Sequence, residues 1–215
     1  MSRDLLALGV EVVPIAAGGL ELRSGYRDWL LTVFRAFSLR AAAAGAHLRV
    51  ANADMAAIER VVGAALAPEA IIFDLDGVLA DIQGRDRLAA VEDVAALARS
   101  HAIGVVTTCP GRLAQAVLER HGFAPHVGVV VGSEDGPCKP DPAPVRLALA
   151  RLGVERAWML GDNPSDVRAA RGAQVVPFAV QPRGHGADAH VDRLRGAGVI
   201  ELVDGVAGLW RRRRA

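Results

Sequence analysis

Ile71-Ile72-Phe73-Asp74-Leu75-Asp76-Gly77-Val78-Leu79-Ala80-Asp81 sets a short apolar run directly against two aspartates one residue apart, then a glycine. The run reads as a buried strand, and the aspartates fall where it ends. In open parallel α/β sheets, ligands bind beyond the carboxyl ends of the strands. Alternation along a strand points Asp74 and Asp76 to the same side, and the chain leaves the strand there, so both can converge on one ligand. Gly77 permits a tight backbone path. A carboxylate pair is costly in an interior unless a cation neutralises it. Asp-X-Asp-Gly after a buried strand is also far from ordinary turn chemistry.

Outward from this stretch the chain alternates short apolar runs with amphipathic segments. Strands are expected over 71–73, 103–107, 127–131, 157–160 and 175–180. Helices are expected over 88–100, 113–121, 144–152 and 165–171, the last three each stopped by a glycine (Gly122, Gly153, Gly172). Strands alternating with helices imply right-handed βαβ crossovers and a parallel sheet with helices on both faces. The strands are near-continuously apolar, as expected when both sheet faces are buried. Residues 1–66 have a different rhythm. Strands are expected at 10–15, 19–22 and 47–50, a helix at 28–39 presenting Trp29, Phe34 and Phe37, and a second helix at 55–66. Pro68 marks a linker. The expected organisation is a small N-terminal α+β subdomain, 1–66, ahead of an α/β core, 70–215.

The bulk properties narrow the function. The 215 residues suffice for one large domain or one domain plus a small one. Apolar residues make up 52 % and the net charge is +1, so no global field recruits nucleic acid or an anionic membrane. Arg211 to Arg214 form the one basic run, read as a solvated, frayed tail. Cys109 and Cys138 lie far apart and form no metal-type pair, which fits a reducing cytoplasm. The N-terminus lacks a secretory pattern, and charges or glycines break each apolar run before it could span a bilayer.

Asp74-Leu-Asp76-Gly-Val-Leu-Ala-Asp81 resembles the first motif of the haloacid dehalogenase superfamily. Val105-Val106-Thr107-Thr108 is similar to the second, Lys139-Pro140-Asp141-Pro142 to the third, and Gly161-Asp162-Asn163-Pro164-Ser165-Asp166 to the fourth. Any one alone is weak; four in order are specific. The resemblance spans about residues 70–205 and implies a Rossmann-like parallel core. It also implies a Mg2+-dependent phosphohydrolase with Asp74 as nucleophile and Asp76 as general acid and base. Thr107 and Lys139 would clamp the phosphoryl group, with Gly77 and Thr108 beside it. Asp74, Asp162, Asp166 and the carbonyl of Asp76 would hold the metal. An acid at position 76 favours phosphatase chemistry over dehalogenation. Two other reactions stay open on the same residues: phosphoryl transfer to another acceptor, and phosphate binding without catalysis.

The superfamily's cap domains are inserted after the first or third motif. Only about 30 residues separate Asp76 from Thr107 and about 20 separate Lys139 from Asp162, so neither gap holds a cap. The implied site is open to a small phosphorylated metabolite or a larger phosphorylated substrate, unless the N-terminal subdomain or a second copy in a homo-oligomer covers it. Gly9 to Pro14, His47 to Ala51 and the 55–66 helix resemble the C-terminal subdomain of histidinol-phosphate-type aminotransferases, without their cofactor domain. There Arg49 would match the arginine that binds a substrate carboxylate, although a surface ion pair is the simpler role. His47, His101, His121, His126, His185 and His190 show no metal-ligand spacing and read as surface or loop residues.

Overall fold

In a computed structural model of the chain, the described residues are 11–15, 19–23, 68–83 and 86–213. The first two segments form an antiparallel hairpin, β1 (Glu11–Ile15) with β2 (Gly19–Arg23), in the register Val13 opposite Glu21. This agrees with the two strands expected there. The helices expected over 28–39 and 55–66, the strand carrying Arg49, and with them the aminotransferase resemblance lie outside the described residues.

The core follows in the order β3 (Ala70–Phe73), α1 (Val91–Ala98), β4 (Ala102–Val106), α2 (Gly111–His121), β5 (Val129–Val131), α3 (Ala143–Leu152), β6 (Ala157–Gly161), α4 (Pro164–Gly172), β7 (Val176–Val180), α5 (Ala187–Ala197), β8 (Glu201–Val203) and α6 (Gly205–Arg213). Its six strands are all parallel and lie in the order β5-β4-β3-β6-β7-β8. The chain winds one way from β3 through β4 to β5, then returns to the other side of β3 with β6. That reversal is a topological switch point, where the loops at the carboxyl ends of β3 and β6 diverge and leave a crevice.

All four residues of β3 are fully buried, because successive side chains feed opposite layers. Ile71 and Phe73 pack in the layer with Val94 and Leu97 of α1, Val117 and Leu118 of α2, and Leu209 of α6. Ala70 and Ile72 enter the other layer, with Val145 and Ala148 of α3 and Ala169 and Ala170 of α4. Trp158 and Phe178 on neighbouring strands add a tilted ring contact at 4.9 Å between centroids. No helix among the described residues is long and apolar enough to cross a membrane, and Cys109 and Cys138 are unbridged.

Three expectations need correction. The helix expected from Leu88 begins at Val91. The amides of Leu88 and Ala89 instead donate to the Leu79 carbonyl, which pins this segment against the loop after β3 and leaves Leu88 53 % exposed. Of the arginine run, residues 211–213 continue helix α6 rather than fraying. Beyond β7 the chain adds α5, β8 and α6, and α5 carries His190 on a helix rather than a loop. Phe73→Ala empties a fully buried site directly beneath Asp74. It should lower unfolding free energy by about 3–5 kcal/mol in a denaturant titration.

Candidate active site

Among the described residues, four polar ones are buried in the core: Asp74, Thr107, Lys139 and Asp166. Asp74 and Thr107 directly follow β3 and β4, Lys139 lies between β5 and α3, and Asp166 is in the first turn of α4. Lys139 Nζ lies 2.8 Å from Asp74 Oδ1 and 2.6 Å from Asp166 Oδ1, and donates to the Val106 carbonyl at 3.0 Å. An ammonium has three N–H groups, so the protein matches all of them. Asp74 also accepts the Leu75 amide at 2.7 Å. Asp166 sits in the first turn of α4, where its Oδ2 accepts the amides of Asn163 (2.9 Å) and Asp162 (3.2 Å). It therefore caps the helix start and presents charge to the site at once.

Asp162 completes a carboxylate trio with Asp74 and Asp166, offering ligand atoms all within 4.8 Å of one another. Two glycines allow this closeness. A Cβ on Gly77, whose φ is +78°, would overlap the Asp162 carboxylate, and one on Gly161 would overlap the Asp166 side chain. Burial pushes the Asp74 carboxyl up to about 7, and the Asp166 charge adds to the rise against the opposing pull of Lys139. Burial also lifts Asp162 to about 6, again with Asp166 contributing. Burial pulls the Lys139 ammonium down, but Asp74 and Asp166 together outweigh it and hold it above its ordinary range. The trio and the lysine leave two net negative charges among hard oxygen donors. That charge and chemistry fit a divalent cation of the Mg2+ class.

The structure brings together Asp74, Lys139, Asp162 and Asp166, as the first, third and fourth motifs imply. The Asp76 carboxylate is apart from the trio: it is exposed, and its Oδ1 accepts the Ile82 amide at 2.8 Å. Thr107 is buried at the end of β4, its Oγ1 3.0 Å from Cys109 Sγ and accepting the Cys109 amide at 3.2 Å, while Thr108 is exposed. Sequence reasoning missed His190. Its Nε2 donates to the Asp162 carbonyl at 2.7 Å, and Arg193 Nη2 donates to its Nδ1 at 2.9 Å. A carbonyl only accepts, so these partners assign the tautomer with hydrogen on Nε2. The chain Arg193–His190–Asp162 braces the loop that carries a trio carboxylate.

The fold is that of the haloacid dehalogenase-like hydrolases. Residues 89–180 match the family model described as haloacid dehalogenase-like hydrolase. That segment contains Thr107, Lys139, Asp162 and Asp166; Asp74 and Asp76 precede it and are tied to it by geometry. The phosphoglycolate phosphatase of Rhodospirillum rubrum is 39 % identical over 115 residues, covering 52 % of this chain and 46 % of that protein. The N-acetylmuramic acid 6-phosphate phosphatase of Pseudomonas aeruginosa is 34 % identical over 113 residues, covering 47 % and 48 %. The chain thus spans about half the length of these relatives. A HAD-superfamily hydrolase of Ehrlichia chaffeensis shares the fold at a TM-score of 0.51 and 16 % identity, over 68 % of this chain and 95 % of that one.

Two outcomes follow from the charges and the brace. A carboxyl raised in the folded state stabilises below its unfolded pKa, and that contribution is lost as pH rises through the folded value. For Asp162 and Asp74 the loss runs up through about 6 and about 7. Mg2+ competes with those protons, so its increase in Tm should be larger at pH 8 than at pH 5; equal increases would speak against the trio as the cation site. His190→Ala should weaken Mg2+ binding by about tenfold in calorimetry on metal-stripped protein. His190→Gln keeps an N–H donor and should recover part of the loss.

Proposed function

We propose that this chain is a Mg2+-dependent phosphomonoesterase that passes through an aspartyl-phosphate on Asp74. The observation that carries the reading is the carboxylate trio Asp74, Asp162 and Asp166, of which the buried pair Asp74 and Asp166 is held by Lys139. Two relatives are named as phosphatases of small phosphorylated metabolites, which supports a substrate of that kind.

Asp74, Asp162 and the Asp76 carbonyl would hold the cation, with Asp166 behind them. When bound, Mg2+ neutralises charge between a carboxylate and the oxygens of an anionic ester, and so removes most of their repulsion. Asp74 is the nucleophile; attack of its oxygen on phosphorus forms the acyl phosphate and breaks the bond to the leaving alkoxide. Lys139 holds that carboxylate in place from the side, through a contact that also ties it to Asp166. Direct contact between Lys139 and a phosphate oxygen would require it to exchange one of its three protein partners. Thr107 and the backbone at Gly77 and Thr108 would meet the equatorial oxygens as charge spreads over them.

Asp76 is exposed and stands outside the trio. It would protonate the leaving alkoxide, then take a proton from the water that cleaves the acyl phosphate. Turnover of p-nitrophenyl phosphate with Mg2+ tests the reading. Asp74→Asn should fall to background, and Asp76→Asn should lose about 10²–10⁴-fold. A wild-type rate in Asp74→Asn contradicts the assignment, as does full activity in excess chelator.

A further inference from the structure

We propose that the ester's leaving group lies in the cleft between the loop after β7 and the first turn of α6, and that it is an uncharged, hydroxyl-rich skeleton such as a sugar or polyol. This rests on the phosphomonoesterase reading. The cleft starts at the site itself, at Gly77 and Asp162, and runs outward to Gln181, Arg183 and Asp204. Its volume is about 430 Å³, within the range of about 300–1,000 Å³ usual for small-ligand pockets. An alcohol leaving from phosphorus next to Asp76 has this space directly beside it, because Gly77 and Val78 form its near wall.

The chemistry of the lining selects the class. His190 borders the cleft, but both its ring nitrogens are engaged, by the Asp162 carbonyl and by Arg193. Polar recognition therefore falls to Gln181, Arg183 and Asp204. Arg183 Nη2 and Asp204 Oδ1 are 3.5 Å apart, with side chains 81 % and 63 % exposed. So open a pair contributes little by itself and leaves donors on one side and acceptors on the other for a ligand. The two charges cancel. A hydroxyl donates and accepts and satisfies both partners. A carboxylate only accepts, so reaching Arg183 would bring it against Asp204, and like charges repel. Leu88, Val78 and Val180 supply an apolar wall suited to the C–H face of a sugar or polyol chain. The lining therefore argues against phosphoglycolate, the substrate named for one relative.

The test compares glucose 6-phosphate, sorbitol 6-phosphate and glycerol 1-phosphate with 2-phosphoglycolate, with p-nitrophenyl phosphate as the reference ester. At least one hydroxyl-rich ester should exceed phosphoglycolate in kcat/KM by about threefold or more, the size of one charge conflict at so exposed a pair. Asp204→Asn removes the repelling charge and should reduce that ratio by about threefold. Phosphoglycolate as the better substrate overturns the proposal, and so does an unchanged ratio in Asp204→Asn. Calorimetry of the same esters with the Asp74→Asn variant and Mg2+ separates this from the catalytic reading. If no ester is turned over, phosphatase chemistry fails, and the leaving-group class still stands or falls on whether a hydroxyl-rich ester binds more tightly than phosphoglycolate. Tighter binding of phosphoglycolate, or no binding of any hydroxyl-rich ester, overturns it.

Discussion

The arrangement depends on one buried cation. Lys139 Nζ joins Asp74 to Asp166 and is itself anchored on the Val106 carbonyl, so a single ammonium ties together the loops that leave β3, β4 and β6. Without it, two carboxylates under a tenth exposed would face each other in a medium that screens poorly. Removing one member of such a network costs about 3–5 kcal/mol, because the others remain buried and uncompensated. The lysine does not complete the neutralisation. Burial, with the Asp166 charge adding to it, raises the Asp74 and Asp162 carboxyls, and the remaining charge is what a divalent cation would satisfy.

The rest of the fold serves that centre. Parallel strands buried on both sides deliver their carboxyl ends to one edge, and the reversal between β3 and β6 opens the crevice there. Gly77 and Gly161 remove the two side-chain stems that would keep the trio apart. The elements after β7 then build one side of the site: α5 braces the Asp162 carbonyl through His190, and Arg183, on the loop after β7, meets Asp204, between β8 and α6.

Much of this was legible in the residues. Strands such as Ala157–Gly161 are apolar throughout because both faces are covered, and that continuity is visible without coordinates. Asp162 and Asp166 are four apart at a helix start, a spacing that places both near the same end. His190 was not legible, because its partner is a backbone carbonyl 28 residues away and no side-chain spacing signals a peptide oxygen. Leu88 has the right spacing for α1 but lies outside it, because tertiary hydrogen bonds to Leu79 override helical periodicity. The short strand Glu201–Val203 and the helices around it carry weaker patterns, since β8 is an edge strand with its first two residues only half buried.

The central claim is that Asp74, held by Lys139, becomes covalently bonded to phosphorus during turnover. Acid-quenched reactions with p-nitrophenyl phosphate and Mg2+, digested and read by mass spectrometry, test it most directly. The account predicts one phosphoryl group on the peptide containing Asp74, removed by hydroxylamine as an acyl phosphate should be. Turnover with no phosphoryl group on that peptide at any quench time, or with one on a different residue, would contradict it.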